Sequence, residues 1–106
     1  MRILLDPGTP ELLRRWLIHH EVSTAAEEGW SDASSLDLIR LAQQRGFEVL
    51  ISTDVSLKHH PNLQRPAIAI LVLSTGEWGR VGVIADNVAD VVNALRPGEY
   101  CEMTIP

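Results

Sequence analysis

Cysteine is almost missing from this chain. Its 106 residues include one, Cys101, which excludes an internal disulfide framework and any zinc site built on several cysteines. Aromatic residues are scarce, at 5%, and no apolar run approaches the roughly 18–20 residues that cross a bilayer. Basic residues are also few: nine Lys and Arg face fourteen Asp and Glu, for a net charge of −5. That balance argues against the broad basic face that sequence-independent nucleic-acid binding requires. It leaves room for a small carboxylate site whose charge is offset by divalent cations, or for a basic protein partner. The opening residues read as a strand rather than as a basic segment followed by an apolar one, so no secretory leader and no membrane contact are expected, and the expected location is cytoplasmic. What is abundant is Val, Ile, Leu and Ala within a hydrophobic content of 45%. This is enough for one modest core, in a single domain spanning 1–106.

The strongest stretch runs from Phe47 to Asp54. Gly46 bounds an apolar, β-branched segment that reads as a buried strand, Phe47 to Thr53, ending on a carboxylate. Arg2–Ile3–Leu4–Leu5–Asp6 has the same form. After the turn Asp6–Pro7–Gly8, Thr9 is placed to cap a helix with Pro10 in its first turn. Leu12, Leu13, Trp16 and Leu17 form its inner face, Arg14 and Arg15 its outer face, and His19–His20 its end. Glu21 to Ala25 is a weaker strand near an edge, and Glu27 to Ser34 is a loop. Ser34 or Ser35 caps a second helix that runs to about Arg45 and stops at Gly46. Beyond Asp54 come a short turn through Lys58–His59–His60–Pro61–Asn62, a break at Pro66, and a strand from Ala67 to Leu73. A loop from Ser74 to Arg80 leads into a helix from Val81 to Leu95, stopped by Arg96–Pro97–Gly98. Tyr100 to Ile105 closes the chain as an edge strand. Strands and helices that alternate in this way predict an α/β fold with a mainly parallel central sheet and helices on both faces.

Asp6 and Asp54 end two apolar strands, and Asp37 lies in the first turn of the helix after the second strand. Right-handed crossovers bring all three to one edge of the sheet. Clustered carboxylates repel one another and are reconciled by a divalent cation, with oxygen ligands suiting Mg²⁺ or Mn²⁺. The matching chemistry is phosphodiester hydrolysis by a metal-activated water. Each aspartate also has a structural reading: Asp6 as a turn residue, Asp37 as part of a capping box with Ser34, Asp54 as a cap for the following turn. Adjacent His59 and His60 point in different directions and read as a loop pair. Trp16 reads as core, Trp30 and Trp78 as partly buried or as partner contacts, Asp86 and Asp90 as solvated charge, and Cys101 as a small buried hydrophobe.

Taken in order, Met1–Asp6, Gly29–Trp30, Leu36–Ala42, Gly46–Asp54, Asn62–Leu63, Ile68–Leu73 and Leu95–Glu99 resemble the short PIN-like proteins, bacterial relatives of VapC-type toxins. The resemblance covers essentially the whole chain. It implies a three-layer α/β/α PIN-like sandwich and a Mg²⁺- or Mn²⁺-dependent ribonuclease that cleaves RNA. It further implies a toxin paired with a small DNA-binding antitoxin, and leaves a homodimer open. The family's acidic positions fall on Asp6, Asp37 and Asp54. The chain departs from the pattern at Pro7–Gly8–Thr9–Pro10, at Ser35–Leu36–Asp37, and at Asp54–Val55–Ser56, where a basic residue is usual. A second reading is a PIN-like protein without catalysis that acts as a protein-binding module. A third, a phosphoreceiver with Asp54 as acceptor, needs an acidic pair after the first strand and a late lysine. Here Pro7 follows Asp6, and the lone lysine is Lys58.

Overall fold

Three apolar stretches form strands buried on both sides, and two more polar ones flank them as edges. The structure, a computed structural model, describes residues 1–59 and 67–106. The strands are β1 (Arg2–Leu5), β2 (Glu21–Thr24), β3 (Val49–Ser52), β4 (Ala69–Leu73) and β5 (Tyr100–Met103). They make one sheet in the order β2-β1-β3-β4-β5, with every pair parallel. The expected weak strand and the closing strand are the two edges. Ile3, Leu5, Val49, Ile51, Ala69, Leu71 and Leu73 point to one face, and Leu4, Leu50, Ile70 and Val72 to the other. Burial on both faces is why these strands read as continuous apolar runs rather than as alternation.

The helices complete each face. α1 (Ser35–Gln44) lays Leu38, Ile39 and Ala42 over Leu4, Leu50 and Ile70, with Phe47 and Leu57 beside them. Its start is fixed by Ser34, whose hydroxyl accepts from the Asp37 N–H at 3.2 Å, and this settles the choice between the two serines. Its end is a Schellman motif: Gly46 takes φ +78, its N–H reaches the Gln43 carbonyl, and the Phe47 N–H reaches that of Ala42. The opposite face is covered by Leu13 and Leu17 from the segment after β1 and by Val81, Ala85, Val88 and Val92 from the segment after β4.

Two helices differ from their expected form. The first is a 3₁₀ helix, Glu11–Trp16, and stops short of His19–His20. Thr9 does not cap it; the Thr9 hydroxyl faces Asp6 and the Ile51 carbonyl instead. Without its side-chain cap the helix starts at Pro10 and closes after six residues, against Trp78, whose ring centroid lies 5.3 Å from that of Trp16. The last helix starts earlier than Val81, as α2 (Trp78–Val81), tightens to 3₁₀ over Gly82–Ile84, and resumes as α3 (Ala85–Ala94). The Trp78 ring lies on the Gly82 backbone, where a Cβ would sit 3.0 Å from it, so the turn tightens beneath the indole. His60, Pro61, Asn62, Leu63 and Pro66 fall outside the described residues.

The connections place the site. From the central β1 the chain steps one way to β2 and then the other way to β3, so the order reverses at the carboxyl ends of β1 and β3. In open α/β sheets that reversal opens the crevice where ligands sit. The last connection is unusual. It crosses the same face as the first yet steps toward the opposite edge, so the two have opposite hands.

Candidate functional site

Asp6 follows β1 at the reversal point and is 6% exposed. Its Oδ1 accepts from the Gly8 N–H at 3.1 Å and the Thr9 hydroxyl at 2.6 Å. Its Oδ2 accepts from the Ser52 hydroxyl at 2.5 Å and, at 3.4 Å, from the Thr53 N–H. The carboxylate thus ties the turn after β1 to the end of β3. A carboxylate offers about four lone-pair positions, and Asp6 has a protein donor at each.

Asp54 stands two residues beyond Ser52. Its N–H donates to the Ser52 Oγ at 3.0 Å, and its Oδ1 accepts from the Ser56 N–H at 3.0 Å and hydroxyl at 2.6 Å. The three residues Asp54, Ser52 and Asp6 therefore form one chain of hydrogen bonds. Asp37 lies in the first turn of α1, with Arg40 at 3.1 Å from its Oδ1. That pair is half-exposed and contributes little to stability.

Two residues at this end of the sheet carry no obvious sequence signal. Glu102 continues the row that runs through Ser52 and Val72 across the register, and period-two spacing along β5 sets Tyr100 on the same face. The Tyr100 hydroxyl is buried and has no hydrogen-bond partner among the described residues. Burial, the nearby Glu102 carboxylate and the charge of Asp54 push its pKa up to about 12. The Glu102 carboxylate stands near the phenol, and its charge favours the protonated form. Strand parity could have suggested Glu102, but only once the β4–β5 register was known.

This phenol yields a clean test, because Tyr100 is the only tyrosine. Between pH 10 and about 12 the folded chain keeps a phenolic proton that the unfolded chain has lost, so stability should fall as pH rises through that window. An absorbance titration should place the folded midpoint near 12. A midpoint at the ordinary value near 10 would mean that solvent reaches the hydroxyl.

On the other face the same crevice is filled by backbone. A Cβ on Gly8 would collide with the Thr53 hydroxyl, and one on Gly76 with the Gly8 carbonyl oxygen. The loops after β1 and β4 therefore meet backbone to backbone, beside the Thr53 side chain of the loop after β3.

No family model, curated protein or solved structure matches the chain.

The remaining expected residues lie away from this edge or at the surface. His59 is exposed, and so are Asp86 and Asp90 on α3. Trp30 and Trp78 are half-buried, Trp30 edge-on to Phe47 at 6.2 Å. Cys101 is half-buried rather than buried, because β5 is an edge. No helix among the described residues is long and apolar enough to cross a membrane. A divalent cation fits poorly here. Mg²⁺ requires near-octahedral oxygen ligands, whereas the lone pairs of Asp6 are engaged by protein donors and Asp37 pairs with Arg40. Among the described residues no three of His, Cys, Asp and Glu are grouped so as to hold a metal ion. As they stand, Asp6, Asp37 and Asp54 do not form one ligand set.

Proposed function

We propose that this chain is a PIN-like domain, an α/β/α sandwich, whose aspartates serve the fold and which acts by binding a protein partner. The observation that carries this reading is the full complement of donors on the Asp6 carboxylate. A residue that would have to ligate a cation is instead the bracket between two central strands. The departures from the family pattern at Pro7–Gly8 and Val55–Ser56 agree with it. Apolar side chains available to a partner include Ile18, 65% exposed, and Val83, 82% exposed.

A second reading is favoured by one observation: Asp6 and Asp54 both stand at carboxyl ends of neighbouring strands, where the strand order reverses. It makes the chain a Mg²⁺- or Mn²⁺-dependent ribonuclease, a toxin held by a small DNA-binding antitoxin. A bound cation would supply an activated water for phosphodiester hydrolysis.

A calorimetric titration with Mn²⁺, on wild type and Asp54→Asn, separates the two. The first reading expects no saturable heat and the same Tm with and without Mn²⁺. Saturable binding that Asp54→Asn removes while the chain stays folded would overturn it, and would turn attention to RNA cleavage.

A further inference from the structure

The two edges of the sheet are finished differently. On β2 the outward N–H of Thr24 is taken by the Glu27 carboxylate at 2.8 Å, and the Thr24 carbonyl by the Glu28 N–H at 3.2 Å. Arg14 holds Glu27 in place and, with the Thr24 N–H, keeps its pKa below the usual carboxylate range. The carboxyl end of that edge is closed by its own following turn.

β5 is open. Its bonds to β4 are bracketed by the Ile70 N–H on the Glu99 carbonyl and the Ser74 N–H on the Met103 carbonyl. In a parallel ladder this directs the backbone groups of alternate residues, Tyr100 and Glu102, outward. Among the described residues only the Cys101 thiol, 3.9 Å from the Glu102 carbonyl, approaches them. β5 is short and carries one charge, Glu102, but has no lysine, no proline and no bulge.

We propose that the outer edge of β5 is where two copies of this chain pair, antiparallel, about a two-fold axis at Cys101. Outward groups on residues two apart are self-complementary under a two-fold axis. Tyr100 of each copy faces Glu102 of the other, which closes four backbone hydrogen bonds with strands already held extended. Centring the axis on Glu102 would oppose two carboxylates, which is destabilising. Centring it on Cys101 sets each glutamate against a tyrosine. The side chains agree: Cys101 and Met103 are half-buried and pack on the core cluster beneath α3, and a second copy would continue that cluster across the interface. The pairing depends on neither reading of the aspartates.

The contact is small, so dimerisation with Kd on the order of 100 μM is expected by sedimentation equilibrium. Glu102→Pro removes an outward N–H that β4 does not use, and should weaken the dimer at least about tenfold. Cys101→Lys sets like charges at the axis and should do the same. A short bis-maleimide should join wild-type chains through Cys101 in proportion to the dimer present. A monomer at about 1 mM, or a dimer that Cys101→Lys leaves unchanged, overturns the proposal. Should Glu102→Pro fail to fold, Cys101→Lys and the cross-link decide the matter.

Discussion

Replacing Gly76 by alanine should cost about 2–4 kcal/mol of stability, a large effect for one methyl group. The new Cβ would collide with the Gly8 carbonyl oxygen. That atom is backbone, so no side chain can rotate away to make room. Gly8 cannot retreat freely, because its N–H is bonded to Asp6. With about 4–8 °C of Tm per kcal/mol for a domain of this size, thermal unfolding should shift down by about 8–30 °C. Gly79 is the control. A Cβ there meets nothing within 4 Å, and alanine favours the helix, so Gly79→Ala should be neutral or slightly stabilising. Equal Tm values for the two variants would show that the loops after β1 and β4 do not hold each other.

Asp6→Ala should be comparably damaging. It strands the Ser52 hydroxyl and the N–H groups of Gly8 and Thr53, while the Thr9 hydroxyl can fall back on the Ile51 carbonyl, 2.9 Å away. A buried donor left unpaired costs about 1–3 kcal/mol; the Ser52 donor is buried and the other two only partly so, so a total loss of about 3–4 kcal/mol is expected. That is a large share of the roughly 5–15 kcal/mol that holds a domain together. Asp6→Asn should lose about half as much, since its amide can turn toward the Ser52 hydroxyl, which is able to accept as well as donate. Urea titrations of the three chains measure this directly. An Asp6→Ala midpoint equal to that of wild type would remove the structural role argued for this carboxylate.

The strands were legible because the core is. Val49–Leu50–Ile51 and Ala69–Ile70–Leu71–Val72–Leu73 are apolar without interruption, the mark of a strand buried on both faces. Glu21–Val22–Ser23–Thr24 is half polar, and it lies at an edge. Gly46 announced the end of α1 for a reason intrinsic to its backbone. What stayed hidden depends on contacts far apart in sequence. Thr9 has the form of a helix cap, yet its hydroxyl is captured by Asp6 and by a carbonyl of β3 that arrives 42 residues later. No periodicity reports that competition, so the length and type of the first helix are not legible in the sequence. Gly82 looks harmless in a helical pattern until the Trp78 ring is seen to lie on it. At the candidate site the positions of Asp6 and Asp54 followed from the strand ends. The donors that occupy Asp6, and the arrival of Tyr100 and Glu102, depend on register, which a single sequence does not encode locally.

The close passage of Gly76 over Gly8 also gives the end of the sheet a direction. An open parallel sheet normally leaves its carboxyl end accessible from both faces, because side chains and loops spread apart there. Here three loops are drawn together on the α3 side until backbone touches backbone. No side chain has room where Gly76 passes over Gly8. At this end the Glu102 carboxylate and the charge of Asp54 stand near the buried Tyr100 hydroxyl.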